Sequence, residues 1–260
     1  MESSSPLEDK LKTLQTNRPS FDLFSGGVIV LMTVGLPILG LLHYKGIIPS
    51  WGVVIVGSIL MNLSFTAWHE PSHGNLARSK IVNDIFGWVA SFASVYPGYF
   101  ARRREHLVHH KWQGQEGMDP VYPRIQTNFM NFPIKLLLAN VVGKPSVGAP
   151  VTFLPLTMAQ KWADAISNYL ALGVVLVSIF FSFWSTVWWS WILPRIIIFM
   201  LHAYYICFFP HNIKEGGYQV FRVRETNWFI RFITVEQNLH GIHHFWPWIP
   251  WYRYREILPL

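Results

Sequence analysis

The chain has 260 residues and a formal net charge of +7; it is 51% hydrophobic and 16% aromatic but only 13% charged. Soluble domains carry about 25% charged residues, so this composition excludes an ordinary soluble globule and a disordered chain. One cysteine, Cys207, excludes an intrachain disulfide framework, a Cys-held iron–sulfur cluster and a Cys-based zinc site.

The first 22 residues are polar and mixed in charge, which does not fit a cleavable signal peptide. A bilayer-spanning helix needs about 20 mostly apolar residues. Leu23–Leu42 is 20 residues without a charge, and Trp51–Trp68 is 18 more. The short loop His43–Ser50 joins them, so spans at about 23–42 and 50–68 form a hairpin. Ile85–Ala101 is also uncharged but contains Ser91, Ser94, Pro97 and two glycines, and reads as an interfacial or re-entrant segment. Ala165–Pro194 and Ile196–Pro210 supply a second hairpin, with spans at about 165–185 and 188–210. Its turn is expected near Ser182–Trp189, where Trp184, Trp188 and Trp189 suit a membrane interface.

The expected fold is therefore an all-α integral membrane protein forming a single domain over 1–260. It has four transmembrane helices in two hairpins and a histidine-rich cap made of 69–164 and 211–260. Nineteen of the 21 Lys and Arg fall on the cap side, the exceptions being Lys45 and Arg195. The positive-inside rule then places the cap in the cytoplasm. The basic balance is accounted for by topology and anionic lipid, without a nucleic-acid partner. No G-x-G-x-x-G or P-loop motif marks a nucleotide site.

Eight of the 11 histidines lie in three clusters: His69 and His73; His106, His109 and His110; His240, His243 and His244. The spacings i,i+4 and i,i+3,i+4 put each set on one helix face. Neutral imidazole is a ligand for first-row transition metals. All three clusters adjoin the same ends of the predicted spans, and His211 arrives there after the fourth. Nine imidazoles exceed the needs of one ion and suit two metals with open positions. His43 and His202 read as structural. One alternative is literal: His69-Glu70-Pro71-Ser72-His73 matches the H-E-x-x-H motif of zinc proteases, in which Glu is the base. Pro71 inside the motif and the two other clusters argue against it. A metal transporter or sensor is a further alternative, disfavoured because the clusters lie at or beyond span ends.

The three boxes resemble those of the membrane fatty-acid desaturase and hydroxylase superfamily, H-x(3,4)-H, H-x(2,3)-H-H and (H/Q)-x(2)-H-H. Within it, residues 236–252 (EQNLHGIHHFWPWIPWY) are most similar to the tail of the desaturase-type β-carotene ring hydroxylases, with the ketolases next. Phe209-Pro210-His211 resembles their L-P-H element, and Asp119-Pro120 follows the second box as in that group. The first box departs from their usual H-D-A-S-H, and Gln113–Gly117 also differs. The resemblance implies that His69, His73, His106, His109, His110, His211, His240, His243 and His244 hold two non-haem iron ions. It makes Asn238 and Asp119 candidates to support those ligands from behind. It implies O2-dependent 3-hydroxylation of the β-ionone rings of a carotenoid (β-carotene to zeaxanthin type) entering from the bilayer. Acyl desaturation and ketolation are the alternatives within the superfamily. Electrons must come from outside, from a donor such as ferredoxin, and Arg102, Arg103, Arg104 and Lys111 are candidates to attract it. Trp246, Trp248, Trp251, Tyr252 and Tyr254 suit either a lid over the site or an interfacial anchor.

Overall fold

The computed structural model describes residues 5–95, 98–141, 154–212 and 227–258. Pro97 and the cap segments 142–153 and 213–226 lie outside the described residues. In chain order the helices are α1 (Pro6–Thr16), α2 (Leu23–Tyr44), α3 (Ser50–Asn62), α4 (Ser64–Ser72), α5 (Lys80–Ala93), α6 (Tyr99–Trp112), α7 (Tyr122–Ile125), α8 (Phe132–Val141) and α9 (Met158–Phe180). They continue with α10 (Trp184–Val187), α11 (Leu193–His202), α12 (Phe209–His211), α13 (Trp228–Thr234) and α14 (His240–Phe245). The described residues contain no strand, only an isolated Phe21–Ala77 bridge.

Among the described residues, four helices are long and apolar enough to cross a membrane: Leu23–Tyr44, Ser50–Ser72, Met158–Phe180 and Trp184–His211. The segment expected to be re-entrant is divided between α5 and α6, each of 14 residues and too short to span. The third span starts seven residues before the uncharged run. A capping box starts it there: Thr157 Oγ1 accepts from Gln160 N–H at 3.2 Å, and Gln160 Oε1 accepts from Thr157 N–H at 3.0 Å. The turn follows at Phe181–Phe183, with Ser182 at φ +59°. Trp184, Trp188 and Trp189 therefore stand on the fourth span and not in the turn.

Two π-helical stretches, Trp188–Ile192 and Ala203–Phe208, interrupt the fourth span. Each closely precedes a proline, Pro194 or Pro210. A proline ring clashes with the carbonyl of residue i−4 and cannot donate to it, and a widened turn relieves both.

Both hairpin turns lie at one end. His43 Nε2 is 3.0 Å from Ser50 Oγ and its Nδ1 is 3.3 Å from Thr186 Oγ1, so one ring ties the first loop to the second hairpin. His73 at the close of the second span and His211 at the close of the fourth mark the other end. The core between them joins Met32, Leu36, Met61, Phe65, Ala90, Tyr99 and Ile198. Second and fourth spans approach closely at Gly57, where a Cβ would sit 2.9 Å from Pro194 Cγ. The outward faces are apolar: Val30, Val34, Ile38, Ile55, Ile59, Leu170, Val177 and Ile197 are all exposed. Only 17% of the third span's apolar window is buried, as expected of a helix facing lipid.

Candidate metal centre

Helix geometry brings the boxes together. α4 ends on the first box, with His69 in its last turn and His73 as its C-cap. α6 carries His106, His109 and His110 on its last two turns. A Gly98 N-cap offers α6 no capping side chain, and Asp164 of α9 serves instead: its carboxylate accepts from Phe100 N–H at 2.9 Å and Ala101 N–H at 2.8 Å. α14 presents His240, His243 and His244 within six residues.

All nine histidines converge. Five rings, His69, His73, His106, His110 and His243, form one group with ligand atoms within 4.8 Å of one another. Their Nε2 atoms pair as His73–His106 at 2.8 Å, His110–His243 at 2.8 Å, His69–His243 at 3.1 Å and His106–His110 at 3.2 Å. His109, His211 and His244 form a second group. His240 joins it, its Nε2 being 3.1 Å from that of His211 and 2.9 Å from that of His244. His109 Nε2 also lies 3.1 Å from His211 Nε2. The groups adjoin: His110 stacks on His244 with centroids 4.3 Å apart. His43 and His202 stand apart, His202 bonding Asn62 Oδ1 at 3.0 Å.

The remaining nitrogens explain the convergence. His69 Nδ1 faces Glu70 Oε1 at 3.0 Å, and His109 Nδ1 faces both Asp119 oxygens at 2.9 and 3.0 Å. His211 Nδ1 meets the Cys207 carbonyl at 2.9 Å and His240 Nδ1 meets Gln237 Oε1 at 2.9 Å. Tyr254 OH is 3.1 Å from His243 Nδ1. With Nδ1–H donating outward, the Nε2 lone pairs of His69 and His243 in the first group, and of His109, His211 and His240 in the second, point at one another. That arrangement is repulsive unless a cation lies among them. Nitrogens bound to one metal at about 2.1 Å and at right angles are about 3.0 Å apart, which the observed spacings match. The residues present therefore fit two transition-metal ions, one per group. Burial, first, and neighbouring rings, second, push His73, His106, His110, His240, His243 and His244 well below the ordinary imidazole pKa. These rings are thus neutral at neutral pH, the form that could hold a metal.

The supporting residues extend the sequence expectation. Burial alone would raise the Asp119 pKa; hydrogen bonds from His109 and from Gly114 and Val121 N–H outweigh it and hold the carboxylate below its ordinary value. Asn238 Oδ1 accepts from Thr234 Oγ1 at 3.2 Å, while its neighbour Gln237 is the residue on His240. Gln237 was not among the expected supports, and Tyr254 was expected only in a lid or interfacial anchor; a short 3-10 turn, Trp251–Glu256, returns Tyr254 to the third box. Both Glu70 oxygens are engaged, Oε2 accepting from Asn75 Nδ2 at 3.0 Å, on the side of His69 away from the ligand atoms. That placement does not suit the base of a zinc protease. The aromatic tail closes the third box: Ile249 and Tyr254 are fully buried, and Tyr252 packs on Phe24 with ring centroids 4.7 Å apart.

An apolar cavity of about 80 Å³ reaches both groups, with Phe65, Trp68, Ile125 and Ile206 on its walls beside His106, His109, His211 and His240. Arg102, Glu105 and Arg124 also line it, and Glu105 pairs with Arg124. Arg102 thus lines this cavity and is half-buried.

The family model for fatty acid desaturases matches residues 46–260. The chain belongs to the fatty acid desaturase family. A β-carotene ketolase of Haematococcus lacustris is 24% identical, the match covering 77% of this chain and 59% of the relative. A β-carotene 4-ketolase of Protosiphon botryoides is 23% identical over 78% of this chain and 51% of the relative. A sphingolipid delta(4)-desaturase of Drosophila melanogaster is 24% identical over 95% and 76%. The chain thus spans about half to three fifths of the length of the ketolases. No solved structure matches it significantly.

Proposed function

We propose that this chain is a membrane oxygenase that holds two iron ions in its histidine groups and hydroxylates β-ionone rings of a carotenoid. The observation that supports it best is the convergence of nine imidazoles into two adjoining groups beside an apolar cavity; at about 80 Å³ that cavity is smaller than a β-ionone ring and must widen to admit one. Five rings with Nδ1 already bonded leave Nε2 for the metal, and Glu70 and Asp119 act from behind two of them. Bound iron would supply the means to use O2 and two electrons against an unactivated C–H bond. The balance is one C–H, one O2, two electrons and two protons giving one C–OH and one water. The protein's part is to keep the rings neutral, fix their direction and exclude water with Phe65, Trp68 and Ile206. The histidine face is the cytoplasmic one in this reading, and the whole chain acts as one domain.

The ketolase relatives favour a second reading, in which the same ring is oxidised to a ketone. Expression in a host that makes β-carotene distinguishes them by product. Zeaxanthin is expected; canthaxanthin would replace hydroxylation by ketolation. Unchanged carotenoid with new acyl double bonds would move the substrate to acyl chains. Purified active protein should hold about two irons per chain, and one zinc without iron would refute the reading.

A further inference from the structure

A second apolar cavity, of about 580 Å³, lies at the end of the spans away from the histidines, where Tyr44 and the turn residue Phe183 line it. The first, third and fourth spans wall it together with the end of α5. Its volume falls in the range of small-molecule sites, about 300–1,000 Å³. One wall is fixed. Trp191 Nε1 donates to the Ala93 carbonyl at 3.4 Å, and Arg195 Nη2 donates to the Phe92 carbonyl at 3.1 Å. The Arg195 guanidinium also lies 4.1 Å from the Trp191 ring centroid. α5 ends here against the fourth span, and these two donors satisfy its last carbonyls where water is absent. Phe92 and Trp191, with ring centroids 6.2 Å apart, thereby form a rigid aromatic face. The hydroxyls of Thr33 and Ser190 donate to their own helices, to the Ile29 carbonyl at 2.8 Å and the Thr186 carbonyl at 2.7 Å. The lining is accordingly almost all apolar.

Resting on the carotenoid reading, we infer that this cavity receives the substrate ring remote from the metal positions. The fourth span walls both apolar cavities: Ile206 and Cys207 line the one beside the histidines, Ser190 and Trp191 line this one. At about 1.5 Å per residue, Trp191 and Ile206 stand about 20 Å apart along the helix axis, and the extended polyene joining the rings of a carotenoid covers about that distance. The polyene needs no tunnel between them. Ile196 and Ile197 on the same span are exposed to lipid, which is as apolar as the polyene itself. Recognition therefore falls to the ends of the molecule. A rigid ring on a rigid aromatic wall loses little conformational freedom, whereas a flexible acyl chain held there loses much. The cavity thus suits a ring better than a lipid tail. A ring seated here sets the other at the metal positions, so the pair of cavities measures substrate length. The Thr33 and Ser190 oxygens keep lone pairs that can accept from a hydroxyl, so a ring oxidised in the first turnover can take the same place in the second.

The test is binding of β-carotene to the full chain in phosphatidylcholine nanodiscs, followed by the circular dichroism that the achiral polyene gains when it is held. Val174 and Leu41 line the cavity from the third and first spans and are themselves exposed, so larger side chains there fill it without disturbing the core. Val174→Trp and Leu41→Trp should each weaken binding at least tenfold, and the milder Val174→Leu about threefold. Val177→Trp, on the same helix but outside the cavity, should change it less than twofold. Wild type should also bind β-carotene at least tenfold more tightly than retinol, which has one ring and half the polyene, and filling should remove that advantage. Unchanged binding in the filled variants, equal loss in Val177→Trp, or equal wild-type affinities for the long and short probes would overturn the site. So would loss of bound phosphatidylcholine on filling, counted by native mass spectrometry, while β-carotene still binds, which would assign the cavity to a lipid tail. Product analysis separates the two levels. Wild type that oxidises β-carotene but binds it no less when filled refutes the cavity alone, whereas wild type that leaves carotenoid unchanged and desaturates acyl chains refutes the carotenoid reading beneath it.

Discussion

At the scale of single residues, the site is decided by what stands behind each imidazole. A ring whose Nδ1–H is engaged has one tautomer and one direction, and residues in that position tune metal affinity about 10–100-fold. Asp119 accepts from His109 and is itself held by two backbone N–H groups, so its own position is fixed. Asp119→Asn should therefore lower iron affinity at least tenfold while the protein still folds, measured by metal titration of the stripped protein. His109→Ala should abolish turnover and reduce bound iron, whereas His43→Ala should leave the iron content nearly intact, because its described partners, Ser50 and Thr186, lie at the far end of the molecule. Tyr254→Phe removes the oxygen on His243 while keeping the buried ring, so a loss of iron affinity of about tenfold with little change in melting temperature is expected. The histidines were legible in the sequence because i,i+3 and i,i+4 spacing is a local rule. Gln237 was not, and Tyr254 was legible only as a lid or anchor residue, because the contacts of both with the rings depend on turns that return the chain to the site. Asn238 was the nearer guess by motif, yet a one-residue step in a 3-10 turn points its neighbour at His240.

At the scale of elements, spans are readable from hydropathy, but their ends are set by polar contacts that hydropathy ignores. α9 begins at a capping box inside polar sequence, and its Asp164 caps α6 across space. The second box thus hangs on a helix start that another span completes. Losing a cap costs about 0.5–2 kcal/mol. Asp164→Ala should lower the melting temperature and, because α6 carries three of the proposed ligands, reduce metal occupancy as well. Asp164→Asn keeps one acceptor oxygen and should recover most of both. If Asp164→Ala lost stability with full metal occupancy, the link between cap and ligands would be broken. The π turns before Pro194 and Pro210 were equally hidden: each proline signals a disturbed helix, but not that the helix widens instead of ending.

At the scale of the whole molecule, hydrophobic faces turn outward to lipid while nine imidazoles gather inside at one end. The protein thereby buries groups that bind protons near neutral pH, and this fixes how it responds to acid when the metal is removed. Six of these rings have pKa values pushed well below the ordinary imidazole value, with burial as the largest cause. The unfolded chain takes up protons through about pH 6.5, whereas the folded chain resists until much lower pH. Below about pH 6.5 the unfolded state therefore binds more protons, and stability rises with pH. The contribution is complete above that value and is lost as pH falls, at up to about 1.4 kcal/mol per ring per pH unit. Metal-stripped protein should accordingly melt at steadily lower temperature as pH is taken from 7.5 to 5.5. Reloading with iron at pH 7.5 should release few protons, because the rings are already neutral. At pH 5.5 the loaded protein should hold its melting temperature better than the stripped form, since the metal occupies the nitrogens that acid would claim. A stripped protein whose melting temperature stays flat across this range would show that the rings are not held neutral by burial.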